Sequence, residues 1–222
     1  MVDYEDLEVK TPKKWMDGWD RIYKEMLEAP NDELAELEVL RPIPQLMHAI
    51  HITKQDISEM TVLEVACGDG ATSCYLAKHG AEVTGVEALE SALNVARRRV
   101  QLLGLEEKVE LRLQNMDGWP IPHESYSIVI AIQCLQYLFE RTIPRLRELL
   151  AAIRPGGFFV YRGNVLPHME TDPPIRFITE AELRKELEGW TFHTFGMDQE
   201  MIRDESDIRG HVWTVARKPV SS

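Results

Sequence analysis

From Thr61 onward, short apolar runs alternate with stretches of helical spacing, and this rhythm limits the fold more than any other feature of the chain. "TVLEVA" is a run suited to a strand buried on both faces. "ATSCYLAKHG" then predicts a helix stopped at Gly80, "AEVTGVE" a second strand, "SALNVARRRVQLLG" a helix stopped at Gly104, and "VELRLQN" a third strand. "SYSIVIAIQ" is a fourth strand. "PRLRELLAAIRPGG" places Leu146, Leu149, Leu150 and Ile153 on one helical face before a Pro-Gly-Gly turn, and "FFVYRGN" is the fifth strand. Strands separated by helices of this length pair in parallel through right-handed crossovers, which predicts an open α/β sheet with helices on both faces. The tail departs from the rhythm. Thr179 and Glu182 form a capping pair before "AELRKELEGW", and "TFHTFGM" and "HVWTVARK" follow with no helix between them, which predicts an antiparallel hairpin at the sheet edge.

Ahead of the sheet, residues 1–55 read as a helical cap segment punctuated by proline: "WDRIYKEMLEAP" stops at Pro30 and "RPIPQLMHAIHI" starts a new helix. Residues 56–222 are expected to hold the ligand-binding domain, the whole forming one compact unit; 222 residues suit a single core better than two. The net charge of −12 disfavours nucleic acid, whose phosphates are neutralised by Lys and Arg, and favours a small-molecule partner. No apolar run reaches the ~18 residues of a membrane span. The start, "MVDYEDLEVK", is acidic and unlike a secretory leader. Three cysteines without a C-x-x-C pair point to a reducing cytoplasm and to no metal site. Nothing in the sequence sets an oligomeric state.

The chemistry concentrates at the first predicted turn, "EVACGDGA". Ligands of open α/β sheets bind beyond the carboxyl ends of the strands. Gly68 and Gly70 would let backbone approach a ligand with no Cβ in the way. Glu64 precedes them, and Glu87 ends the second strand, where a carboxylate would accept two hydroxyls of a ribose diol. The pattern indicates a nucleoside-containing cofactor, and two cofactor types share it. A nicotinamide dinucleotide would need G-x-G-x-x-G, but "GDGATS" has Ser73 at the third glycine.

Aligned instead as E-x-A-x-G-x-G, the chain resembles the class I S-adenosylmethionine-dependent methyltransferases over residues 15–218. "VLEVACGDG" looks like their first motif and "GVEALESAL" like their second. "NMDGWPIPHESYSIVIA" and "LLAAIRPGGFFVY" follow in the expected order, and the terminal hairpin is the family's seven-stranded signature. The resemblance implies a Rossmann-like sheet, mostly parallel, that binds S-adenosylmethionine and releases S-adenosylhomocysteine. It implies in-line methyl transfer to O, N or S of a small molecule. It assigns Gly68, Gly70 and Ala66 to the cofactor bend, Glu64 to the ammonium, Glu87 to the ribose with Ala88 alongside, and Leu89 and Met116 to the adenine. Trp19 and Tyr23 would close over the cofactor, and Gln133 would touch its methionine end. The C-terminal part is similar to the tellurite-resistance and thiopurine-type enzymes.

Three positions depart from the family pattern. Ala66 replaces a glycine, Asn115 stands where an acid accepts from the adenine amino group, and Ser127 replaces an aspartate. Tyr161, Arg162, Asn164 and His168 are expected at the acceptor pocket, with "GNVLPHMETDPPIRF" as a lid. His168 and Tyr23 are the candidate catalytic groups, while His211 and Cys134 read as structural. Two rival readings remain at this point: a cofactor-binding regulator or partner subunit without catalysis, and a nicotinamide-dependent reductase.

Overall fold

The computed structural model describes residues 13–166, 175–201 and 208–220. Helices α1 (Lys13–Met26), α2 (Asn31–Ala35) and α3 (Ile43–Ile52) lead into the alternation β1 (Thr61–Val65), α4 (Ala71–Lys78), β2 (Glu82–Glu87), α5 (Glu90–Leu103) and β3 (Val109–Leu113). β4 (Tyr126–Ile132), α6 (Thr142–Ala151), β5 (Ile153–Leu166), α7 (Glu180–Glu186), β6 (Thr191–Met201) and β7 (Ile208–Arg217) complete it. The sheet has seven strands in the order β3-β2-β1-β4-β5-β7-β6. β1 to β5 run parallel, and β7 is antiparallel to both β5 and β6. The expected edge hairpin is therefore present, with β7 inserted between β5 and the edge strand β6.

Alternation along the strands divides the core in two. Val62, Ile128, Ile130, Phe158 and Val160 pack with Leu46, Ile50, Leu76 and Val100 of α3, α4 and α5. Their neighbours Leu63, Val129, Ala131, Phe159 and Tyr161 pack with Leu146, Leu149, Leu183 and Leu187 on the other face. A strand side-chain period of two with both faces apolar is what a doubly covered sheet requires. Local signals close the helices as the sequence indicates. Gly104 caps α5 in the left-handed conformation, and Thr179 and Glu182 form a reciprocal capping box on α7.

The Pro-Gly-Gly segment differs from expectation. α6 ends at Ala151, and Ile153 already pairs with Tyr126 as the first residue of β5 rather than extending the helical face. The carbonyl of Ala152 accepts from the backbone N–H groups of Ser125 and Tyr126 at 2.9 and 3.1 Å, which draws the chain straight from helix into sheet. Arg154, Pro155, Gly156 and Gly157 then form an irregularity opposite Ser127, and regular pairing resumes at Ile128 with Phe158. Ile153 remains fully buried against the α6 side of the core. A Cβ on Gly157 would lie 2.6 Å from the Ser127 carbonyl oxygen. Gly157→Ala should therefore lower unfolding stability by about 1–3 kcal/mol, the scale of overpacking, measurable as a shifted midpoint in urea.

Candidate functional site

Strand order reverses between β1 and β4, and a cavity of about 470 Å³ opens beyond their carboxyl ends. Its floor is the bend after β1. Ala66 and Gly68 both take positive φ, 52° and 55°, and the Cys67 N–H donates to the Val86 carbonyl at 3.0 Å, tying the bend to β2. Gly68 is required for space as well as conformation: a Cβ there would fall 2.5 Å from the Tyr23 hydroxyl oxygen. Gly70 behaves otherwise. At φ 73° it is the N-cap of α4, its Cβ position lies 2.8 Å from the Ala96 Cβ, and it does not line the cavity. Its role is close packing of α4 on α5 rather than the expected approach to a ligand.

The other expected positions converge. Trp19, Tyr23, Glu64, Ala66 and Gly68 line the cavity, as do Glu87, Ala88, Leu89, Asn115, Met116 and Gln133. Glu87 is buried, and its carboxylate accepts from the backbone N–H of Gly68 at 3.0 Å, Ala88 at 2.8 Å and Leu89 at 2.9 Å. Burial pushes its pKa up, against the pull of the three N–H donors. Three of roughly four acceptor positions are thus occupied, which leaves room for one further donor, not the two hydroxyls the sequence suggests. Asn115 is also engaged: its Oδ1 accepts from the Asp117 N–H at 3.0 Å in a local turn. Glu64 accepts from the Ser73 hydroxyl at 2.5 Å, and burial, helped by the nearby Asp69 charge, raises its pKa to about 8.

α1 forms one wall. Trp19 and Tyr23 stack at 6.2 Å between centroids, and the indole N–H of Trp19 reaches the Tyr137 hydroxyl at 3.4 Å. Burial, together with the charges of Glu87 and Asp69, pushes the Tyr23 phenol well up, so it is a donor and not a base at neutral pH. Burial also raises the thiols of Cys67 and Cys134 on the cavity wall, which makes both poor nucleophiles.

Several residues are placed differently from the sequence reading. Tyr161 is a core side chain on the α6 face rather than a pocket residue. Arg162 and Asn164 lie at the β5–β7 pairing and do not line the cavity. Ser127 lies at the start of β4, as the sequence indicates, and its hydroxyl accepts from the Thr61 N–H at 3.0 Å. His168 lies outside the described residues. Glu38 and Leu40 also line the cavity, which no sequence pattern indicates. Arg99 of α5 brings their segment in: its guanidinium donates to the Leu34 and Glu36 carbonyls at 2.5 and 2.7 Å and to Asp69 at 2.7 Å. Among the described residues no cluster of His, Cys, Asp or Glu could hold a metal ion, and no helix is long and apolar enough to cross a membrane.

Comparison with known proteins agrees with this geometry. Residues 62–157 match the model of a family described as a methyltransferase domain. A fatty-acid O-methyltransferase of Mycolicibacterium smegmatis is 33% identical over 152 residues, covering 64% of this chain and 53% of that protein. A phthiotriol/phenolphthiotriol dimycocerosates methyltransferase of Mycobacterium ulcerans is 28% identical over 144 residues, covering 61% of this chain and 51% of the relative. The chain thus spans about half the length of these curated relatives. The crystal structure of a putative methyltransferase from Bacillus halodurans superposes with a TM-score of 0.63 at 17% identity, over 81% of this chain and 99% of that one. Motif order, sheet topology and these matches make the chain similar to the class I S-adenosylmethionine-dependent methyltransferases.

Proposed function

We propose that the protein methylates an oxygen of a lipophilic small molecule with S-adenosylmethionine as donor. The observation that carries this is the juxtaposition of a bare glycine bend on β1 and a buried acid on β2 in one cavity. Its remaining wall includes the apolar side chains of Met16, Trp19, Leu40 and Ile132. The volume suits a nucleoside-sized ligand, and the relatives that the chain resembles are named for fatty acids and for phthiotriol/phenolphthiotriol dimycocerosates.

The residues fit the cofactor in kind. Glu87 offers its remaining acceptor position to a ribose hydroxyl, Leu89 and Met116 give the adenine an apolar surface, and Glu64 faces the ammonium. Trp19 and Tyr23 present aromatic faces where a sulfonium would be attracted. When bound, S-adenosylmethionine supplies a methyl group on a positively charged sulfur, already activated for displacement. The protein then has to hold the acceptor oxygen in line and exclude water, a positioning role that needs few acid–base groups. A carboxylate acceptor would arrive ionised and need no base.

Labelled S-adenosylmethionine incubated with a panel of fatty acids, phenols and hydroxylated lipids should give a labelled ester or ether. S-adenosylhomocysteine binding without product on any of them would favour a cofactor-binding module, and a thermal shift with NADH alone would favour the reductase. Glu87→Ala should weaken S-adenosylhomocysteine binding by about 1–3 kcal/mol in calorimetry, the worth of a hydrogen bond to a charged group.

Glu64 gives a pH test with a defined sign. Its folded pKa of about 8 lies above the ordinary glutamate value of 4.5, so the folded state holds a proton that the unfolded chain releases. The stabilising contribution is complete below about 4.5 and is lost as pH rises through 8. Glu64→Gln removes this dependence, so the ligand-free variant should gain on the wild type by up to about 1.4 kcal/mol per pH unit across that window. An ammonium beside Glu64 would reverse the preference, so S-adenosylhomocysteine should bind more tightly as pH rises towards 8. It should also release a proton, seen as buffer-dependent binding enthalpy; buffer-independent enthalpy would remove Glu64 from the ammonium site.

A further inference from the structure

Between α2 and α3 the chain turns its side chains alternately to the core and to the cavity. Leu37 and Val39 pack against the core on the α3 face, whereas Glu38 and Leu40 line the cavity. That period of two belongs to an extended segment. Guanidinium groups hold both of its ends. Arg99 ties the Glu36 carbonyl to Asp69, and Arg162 of β5 donates to the Arg41 carbonyl at 3.3 Å. The segment therefore crosses the mouth from the bend after β1 to the β5 side. It lies away from the ends of β2 and β3, where Leu89 and Met116 would take the adenine.

Four carboxylates line this cavity, and three are committed within the protein. Glu64 accepts from the Ser73 hydroxyl, Asp69 from Arg99 and the Ala71 N–H, and Glu87 from three backbone N–H groups. Glu38 is the fourth. It is exposed at the mouth, and among the described residues it has no hydrogen-bond or ion-pair partner. Among those residues no Lys, Arg or His lines the cavity. The apolar lining includes Trp19 and Leu40, which are themselves partly open to solvent. An ionised carboxylate in such a mouth can only accept hydrogen bonds, and it repels a second anion.

We infer that Glu38 selects the methyl acceptor: its carboxylate accepts from the hydroxyl of an uncharged lipophilic molecule such as a phenol, and it turns carboxylate acceptors away. This rests on the function proposed above and narrows the product from an ester or ether to an ether. Leu40, two residues on, gives the same acceptor an apolar surface. One extended segment thus meets both the polar head and the apolar body.

The test is calorimetry on protein saturated with S-adenosylhomocysteine, using two probes that share ring and tail. One is para-octylphenol, uncharged at neutral pH, and the other is para-octylbenzoate, which is ionised. Wild type should bind the phenol at least about tenfold more tightly, the scale of a hydrogen bond to a charged group together with like-charge repulsion. Glu38→Gln keeps the shape and removes the charge, so that preference should shrink by about 3–10-fold, solvent at the mouth moderating the effect. Glu38→Lys should reverse it. S-adenosylhomocysteine affinity should stay within about twofold of wild type in Glu38→Gln, as expected where the residue touches the acceptor and not the cofactor. Equal affinity of the wild type for the two probes, preference for the benzoate, or binding of neither would each overturn the inference. So would a preference unmoved by both substitutions, or an equal loss of S-adenosylhomocysteine affinity. Wild-type protein that does not bind S-adenosylhomocysteine would instead overturn the cofactor reading on which it rests.

Discussion

The buried carboxylate of Glu87 is the interaction on which the cavity's shape depends. Parallel pairing of β1 with β2 sets Val65 beside Val86, so the bend after β1 and the end of β2 emerge side by side. Past the bond from the Cys67 N–H to the Val86 carbonyl, the N–H groups of the two bends lie outside the β1–β2 ladder. Glu87 collects the N–H of Gly68 from one and those of Ala88 and Leu89 from the other, joining the two bends across the crevice. An ionised acid is costly to bury alone, and three backbone donors offset that cost while losing orphan donors of their own. The acid thus shapes the cavity as well as offering it a charge. This explains why a carboxylate rather than a neutral acceptor suits the position.

The wall over the bend is held by α5 from behind. Of the three consecutive arginines of α5, only Arg97 is exposed, bonded to Asn94 on its own helix. Arg98 reaches the Leu27 carbonyl at the end of α1, and Arg99 is buried between the Asp69 carboxylate and carbonyls of the segment leading to Glu38. A guanidinium's five donors on a planar fork let one side chain satisfy several acceptors that a lysine could not. The aromatic pair on α1 and the acidic bend after β1 are consequently fixed to the same helix, so the cavity's floor and wall share one support.

What was legible in the sequence follows from the range of each signal. Strand and helix periods, the Gly104 stop and the Thr179–Glu182 box depend on neighbours within a turn or two, and each is found where the residues indicate. The glycine bend and Glu87 were legible because strand order and the two bends follow from those same elements. Positions decided by distant contacts were not. Glu38 and Leu40 reach the cavity because Arg99 holds their segment, Gly70 faces Ala96 of another helix, and Tyr161 points to the α6 face by strand alternation from Phe159. The Pro-Gly-Gly run carried a strong local turn signal, yet the Ala152 carbonyl is taken by the chain entering β4, and the turn becomes an irregularity inside β5.

Backbone strain marks the same place from a different direction. Ala66 after β1 and Gln133 after β4 both hold a left-handed φ despite carrying a Cβ, and they flank the point where strand order reverses. Such a conformation costs about 1–2 kcal/mol for a residue other than glycine. Glycine would relieve it at both positions, at the price of a more flexible unfolded and folded chain. The two are stabilised differently. The bend at Ala66 is locked by the next N–H bonding into β2, and Ala66 lines the cavity where the resembled motif has a glycine. The turn at Gln133 is locked through β5, and glycine there would delete the amide that links the cavity to His211. Strain at Ala66 therefore shapes the ligand's bed, whereas strain at Gln133 sets an amide between that bed and His211, and only the second requires its own side chain.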